Sequence, residues 1–83
     1  LGDVYKRQAW GVTVNAIAAG LTVGTDSSRA TTEDVRERII AQTPLGRLAT
    51  ADDIAGGVAM LVGEDARFVT GQTLHVDGGL TMR

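Results

Sequence analysis

The sequence predicts an α/β fold in which two parallel strands are joined by helices. Two short runs with β-branched residues lie at residues 11–19 and 71–77, and each is bounded by glycine. Two helical patterns separate these runs, an order that is typical of a crossover between parallel strands. Two strands alone cannot form a parallel sheet that is covered on both faces. We therefore expect the chain to be part of a larger, incomplete sheet.

The first predicted strand, at residues 11–19, reads GVTVNAIAA and contains no charged residue. Such a run is typical of a strand that is covered on both faces. Asn15 would be a buried polar group in this strand, so we expect its side chain to be hydrogen-bonded. The strand ends in alanine and then Gly20, which indicates that another group comes close to the backbone there.

The first helix is predicted after a loop at residues 20–31. The pattern TTEDVRERIIAQ begins with a hydroxyl N-cap, either Thr31 or Thr32, and has acidic residues in its first turn. Pro44 and the glycine at position 46 end this helix.

The second helical pattern, from Ala51 to Gly63, is clearer. Thr50 fits the N-cap and Asp53 occupies the third helical position. The apolar residues recur on one face, at Ile54, Val58, Leu61 and Val62. Gly56 and Gly57 lie inside this helix. They are either tolerated small residues or sites where another backbone, such as that of a second subunit, comes close.

The second predicted strand, at residues 71–77, alternates apolar and polar side chains. Leu74 and Val76 lie on one face, and His75 lies on the other with an aspartate two residues later. No nucleophile lies beside this histidine and aspartate, so the pair does not predict a catalytic dyad. We interpret His75 as a structural residue.

The composition argues against several classes of function. The 83 residues carry a formal net charge of −2, which offers no basic surface for nucleic acid or an anionic membrane. The absence of cysteine excludes disulfides and thiol catalysis, and a single histidine argues against a metal site. No apolar run approaches the roughly 18 residues that span a bilayer, so we expect a cytoplasmic protein. Arg47 and Arg67 are interpreted as solvated surface charges.

Three stretches resemble the C-terminal third of short-chain dehydrogenases/reductases: VTVNAIAAG, PLGRLATADDIAGGVAMLV and FVTGQTLHVDGG. They occur in the order and at the approximate spacing found in that family, and together they cover roughly residues 11–80. The resemblance implies a Rossmann fold with a doubly wound sheet of seven parallel strands. Residues 11–19 and 71–77 would be its sixth and seventh strands, so the chain would be the C-terminal part of that sheet.

The resemblance also implies a cofactor site for NAD or NADP at the end of the first strand. In the family, a Pro-Gly pair there leads into a loop whose backbone binds the nicotinamide carboxamide, and a threonine hydroxyl follows. Ligands of open α/β sheets bind beyond the carboxyl ends of the strands, where this loop lies. The matching residues are Ala19 in place of the proline, then Gly20, Thr22 and Thr25. Gly24 holds the family's threonine position, and Thr25 follows one residue later.

No catalytic residue is expected within this chain. The family's catalytic serine, its Tyr-x-x-x-Lys pair and its glycine-rich phosphate loop would lie upstream of residue 11. Tyr5 and Lys6 are adjacent and lack the spacing that places such a pair on one helical face. We expect residues 1–9 to be a non-native leader and residues 10–83 to be a fragment that is inactive by itself.

The parent protein would then be an oxidoreductase that interconverts an alcohol and a ketone by hydride transfer. Residues 21–47 would shape its small-molecule substrate site. In many family members the last helix and strand form a subunit interface, so a homodimer or homotetramer through residues 51–63 and 71–77 is expected. Two alternatives remain open: a non-catalytic relative that binds dinucleotide, and a small module that pairs its strand edge with a partner.

Overall fold

The structure, a computed structural model, describes residues 10–82 and confirms the α/β class. The elements in chain order are β1 (Ala16–Ala19), α1 (Asp26–Ala30), α2 (Glu33–Gln42), α3 (Ala51–Val62), a 3-10 turn (Glu64–Ala66) and β2 (Thr73–Val76). The expectations for a leader at residues 1–9, and for Tyr5 and Lys6 within it, lie outside the described residues.

The two strands pair in parallel, as predicted. The register places Ala16 opposite Thr73 and Ala19 opposite Val76. Both strands are shorter than the predicted ranges 11–19 and 71–77. Before residue 16 side chains interrupt the ladder, although the N–H of Gly71 still donates to the carbonyl of Val14 at 2.8 Å. The N–H of Val14 donates to the hydroxyl of Thr70 at 3.0 Å instead of to a strand carbonyl.

Asn15 joins the two strands at their amino ends. Its side-chain amide donates to the carbonyl of Val69 at 3.0 Å, and its side-chain oxygen accepts from the N–H of Gln72 at 3.0 Å. The residue is half-buried, and both hydrogen bonds span more than fifty residues of sequence. The expectation that Asn15 is hydrogen-bonded is therefore confirmed.

Helix α3 packs directly on the sheet, and Gly57 makes the contact possible. A Cβ atom at Gly57 would lie 2.8 Å from Cγ2 of Val76 and 3.5 Å from Cδ1 of Ile17. A Cβ at Gly56 would meet nothing within 4 Å. The two glycines thus differ: Gly57 allows a close approach, but to side chains of the chain's own sheet and not to another backbone.

The helix N-termini follow the predicted capping, with one addition. Thr50 and Asp53 form a capping box at the start of α3, and Thr32 is the N-cap of α2. The predicted loop at residues 20–31 is wrong in one respect, because it contains α1. Thr25 caps this short helix by accepting from the N–H of Ser28, and an aspartate follows in the first turn.

The described residues contain very little buried apolar surface. Ala66 is the one buried hydrophobic residue among residues 10–82, while Trp10 and Phe68 are 84% and 100% exposed. The sheet and helix faces therefore lack the covering that a parallel sheet requires.

Candidate functional site

The exit of β1 is held closely against the exit of β2. The N–H of Gly20 donates to the carbonyl of Val76 at 2.9 Å. A Cβ at Gly20 would lie 3.0 Å from Cα and 3.1 Å from Cβ of Asp77. Another group does come close to the backbone here, as expected, but that group is Asp77 of the same chain.

Thr22 presents a free main-chain donor beyond this crossing point. Its carbonyl accepts from the N–H of Thr25 at 3.4 Å and from the Thr25 hydroxyl at 2.8 Å, and its own hydroxyl donates to the carbonyl of Gly20 at 2.9 Å. The N–H of Thr22 has no hydrogen-bond partner among residues 10–82. The residue is half-buried, so this N–H is an unused donor in a partly enclosed position.

Thr25 lies at the start of α1 and turns its hydroxyl toward Thr22. Gly24, with φ of +85°, makes the turn between them. The Thr25 hydroxyl donates to Thr22 and accepts from the N–H of Ser28 at 3.2 Å. A hydroxyl has two lone pairs, so the Thr25 oxygen can still accept one further hydrogen bond.

The structure therefore brings together three of the four predicted cofactor-binding residues. Gly20, Thr22 and Thr25 are linked by hydrogen bonds, whereas Ala19 lies within β1 opposite Val76 and contributes no polar side-chain atom. The free N–H of Thr22 and the remaining lone pair of Thr25 form a donor beside an acceptor. Such a pair can bind a primary carboxamide, which carries one acceptor and two donors.

A second segment fixes the main chain on both sides of Thr22. The N–H of Val23 donates to the carbonyl of Ala49 at 2.9 Å, and the N–H of Ala49 donates to the carbonyl of Leu21 at 3.1 Å. These two bonds form an isolated parallel bridge between Thr22 and Ala49. The loop at residues 21–23 is therefore supported by the residues that immediately precede α3.

Arg47 belongs to this support: it is an exposed surface charge, as predicted, but it also forms an ion pair with Asp53. Its guanidinium binds the Asp53 carboxylate with both terminal nitrogens, at 2.7 and 3.1 Å, and also donates to the carbonyl of Leu48 at 3.1 Å. This pair is not evident from the sequence, because the two residues are six positions apart. The available sequence signal was that Arg47 lies three residues before the N-cap Thr50, and that the capping partner of Thr50 is the carboxylate of Asp53.

The hydrogen bonds to Asp53 change its acidity. The Arg47 guanidinium, followed by the N–H and hydroxyl of Thr50, holds the pKa of the Asp53 carboxyl well below its usual range. Asp53 in turn raises the pKa of Arg47. Asp53 therefore stays ionised, and Arg47 charged, throughout the range in which proteins work.

We expect Asp53→Asn to flatten the acid branch of the stability profile. The pKa of Asp53 is lowered in the folded state, so its contribution is fully present above the unfolded-state pKa and is lost as the pH falls below it. The wild-type free energy of unfolding should thus decrease between about pH 5 and pH 2, and less steeply in the variant. Denaturant unfolding of the longer protein at several pH values measures this difference. The same dependence of the free energy of unfolding on pH in the wild type and in Asp53→Asn would contradict the prediction.

Asp77 has a structural use at the end of β2. Its carboxylate accepts from the N–H of Gly79 at 3.0 Å and from the Thr81 hydroxyl at 2.7 Å. Thr81 first, with the N–H of Gly79, lowers the pKa of Asp77. His75 is exposed. The Asp77 carboxylate therefore closes the turn after β2.

Residues 10–82 contain no group of three or more side chains that could hold a metal ion. Among the helices of that part of the chain, none has the length and apolar character that crossing a membrane requires.

Comparisons with known proteins agree on the family. A family model described as enoyl-(acyl carrier protein) reductase matches residues 6–81. The 3-oxoacyl-(acyl-carrier-protein) reductase FabG of Salmonella typhimurium is 49% identical over 72 residues, which are 87% of this chain and 29% of that protein. FabG of Haemophilus influenzae is 46% identical over 72 residues, with the same coverage.

A solved structure shows the same fold. The crystal structure of a short chain dehydrogenase from Bacillus anthracis matches 96% of this chain with a TM-score of 0.79 and 34% identity, and the match covers 31% of that chain. The chain thus spans less than a third of the length of these relatives.

Proposed function

The chain belongs to the short-chain dehydrogenase/reductase family, and from this premise we propose that it forms the nicotinamide-side part of an NAD(P)-dependent oxidoreductase. The reaction would interconvert an alcohol and a ketone within one Rossmann-fold domain that includes residues 10–83. The phosphate loop and the catalytic serine, tyrosine and lysine would lie in a part of that domain outside this chain. The observation that carries the proposal is the donor and acceptor pair at Thr22 and Thr25.

The contribution of this chain would be to bind and orient the nicotinamide. When bound, the cofactor supplies or accepts a hydride at its nicotinamide ring. The free N–H of Thr22 would donate to the carboxamide oxygen, and the remaining lone pair of Thr25 would accept from the carboxamide nitrogen. Holding the carboxamide at two points fixes the rotation of the ring, which makes the hydride transfer effectively intramolecular.

Residues 21–47 would form one wall of the substrate site. Arg36 joins the two helices in this range, because its guanidinium donates to the carbonyls of Ser28 at 2.7 Å and Thr31 at 3.3 Å. Helices α1 and α2 therefore act as one unit beside the loop that holds the cofactor. Because the FabG relatives are named as 3-oxoacyl reductases, the first substrate to test is a 3-oxoacyl thioester.

We also propose a homodimer or homotetramer that uses α3 and β2. The outer residues of α3 are apolar and exposed, with Met60 at 67% and Val62 at 79%. A cleft of about 670 Å³ lies beside them, between α3, β2 and residues 44–49, and Gly56 lines it. Exposed apolar surface of this kind is typical of an interface, and we assign this part of it to a second subunit and not to the rest of the domain.

The test is an assay of the longer protein that carries this chain. We expect oxidation of NADH or NADPH that depends on an added 3-oxoacyl thioester, followed by the absorbance of the reduced nicotinamide. Binding of the dinucleotide without turnover would instead identify a non-catalytic relative. Absence of both binding and turnover would overturn the proposal.

Thr25→Val tests the nicotinamide contact within this assay. Removal of the hydroxyl should raise KM for the cofactor about tenfold, the cost of roughly one hydrogen bond, while Thr25→Ser should stay near the wild-type value. Thr32→Val is the matched control, because Thr32 caps the neighbouring helix α2 through the N–H of Val35. Equal effects of Thr25→Val and Thr32→Val would show that only helix capping is lost.

A further inference from the structure

The cluster of Arg47, Thr50 and Asp53 is a compact, fully connected unit at the start of α3. Besides binding Arg47 with both oxygens, the Asp53 carboxylate accepts from the N–H of Thr50 at 2.8 Å and from its hydroxyl at 3.0 Å. The Thr50 hydroxyl in turn accepts from the N–H of Asp53 at 3.2 Å. A bidentate pair between arginine and carboxylate fixes orientation as well as distance.

This cluster holds the two ends of a very short segment. Arg47 and Thr50 are separated only by Leu48 and Ala49, and Arg47 also binds the Leu48 carbonyl at 3.1 Å. Ala49 therefore lies between two anchored residues, with little freedom left in its own backbone.

Ala49 transmits that position to the loop at residues 21–23. It accepts from the N–H of Val23 and donates to the carbonyl of Leu21, so its two hydrogen bonds lie on either side of Thr22. The Leu21 carbonyl and the Thr22 N–H belong to the same planar peptide unit, so the bond to Leu21 also sets the direction of the Thr22 N–H. This pairing of Thr22 with Ala49 is the one isolated β-bridge in residues 10–82 outside the two strands.

We infer that Arg47 is a positioning residue for the nicotinamide, acting through Asp53, Ala49 and the main chain of Thr22. The inference rests on the proposed function and adds a residue that touches neither cofactor nor substrate. A change at Arg47 should weaken binding of the nicotinamide half of the dinucleotide alone. The adenosine half would be bound by the part of the domain outside this chain.

The first experiment compares two ligands of the longer protein by calorimetry. Arg47→Met should weaken binding of the whole dinucleotide about tenfold and leave binding of ADP-ribose, which lacks the nicotinamide, unchanged. Arg67→Met is the matched control, because the exposed Arg67 donates to the carbonyl of Glu64 at 3.2 Å and is hydrogen-bonded to no part of this bridge. General destabilisation would weaken both ligands alike, and that result would overturn the inference.

A second measurement needs no cofactor and separates this inference from the proposed function. Amide exchange at Val23 and Ala49 should be faster by about tenfold in Arg47→Met, because both N–H groups belong to the bridge that the cluster holds. Arg47→Lys should restore little of the protection, since lysine cannot form the bidentate pair. Unchanged exchange at both amides would overturn the inference. Wild-type protein that binds neither ligand would overturn the proposed function, and with it the role of Arg47 toward the nicotinamide.

Discussion

Gly57→Leu is expected to lower the free energy of unfolding by about 2 kcal/mol, because α3 has no room for a side chain where it crosses the sheet. The position of a Cβ there is already 2.8 Å from Cγ2 of Val76, with Ile17 and Leu74 also within 4 Å. Either the helix must move away from the sheet or the valine must leave its rotamer. Both changes open a gap under α3.

Gly56→Leu is the matched control for this prediction. It replaces the same residue type in the same helix, one position earlier, where a Cβ would meet nothing within 4 Å. Leucine has the higher helix propensity, so this variant should gain up to about 1 kcal/mol in the separated subunit, apart from any effect at the proposed interface, whose cleft Gly56 lines. Denaturant unfolding followed by circular dichroism measures both variants. Similar losses in the two would mean that the contact with Val76 does not determine the packing of α3.

The sequence was sufficient for the elements that depend on local signals. The capping box at Thr50 and Asp53 could be predicted because it needs only a hydroxyl and a carboxylate three residues apart. The parallel pairing of β1 and β2 followed from the helices between them. The helix α1 was missed because five residues give no apolar period, although Thr25 and Asp26 carried the signal of a helix start.

The candidate site was predicted in part, for a similar reason. The resemblance to the family's loop could indicate Gly20, Thr22 and Thr25 as candidates. It could not show that the Thr25 hydroxyl is already shared between the carbonyl of Thr22 and the cap of α1. The role of Arg47 depends on contacts that are local in space and six residues apart in sequence. Gly57 could be predicted as a close approach, but only the packed structure shows that the neighbour is the chain's own sheet.

Gly20→Val is expected to have the largest effect on cofactor binding. A Cβ at Gly20 would be 3.0 Å from Cα of Asp77, and a main-chain atom cannot rotate away as a side chain can. The exits of β1 and β2 must then separate, which breaks the 2.9 Å hydrogen bond from Gly20 to Val76. Thr22 moves with them, because its hydroxyl is bound to the Gly20 carbonyl.

A displacement of this kind should weaken dinucleotide binding by the longer protein about 100-fold, since a shift near 1 Å at a binding group costs about that much. Gly20→Ala should give an intermediate loss, because its single methyl group needs a shift of only a few tenths of an ångström. The affinities, measured by calorimetry, should therefore fall in the order wild type, Gly20→Ala, Gly20→Val. If Gly20→Val bound the dinucleotide as tightly as the wild type, the exit of β1 would not be the nicotinamide site.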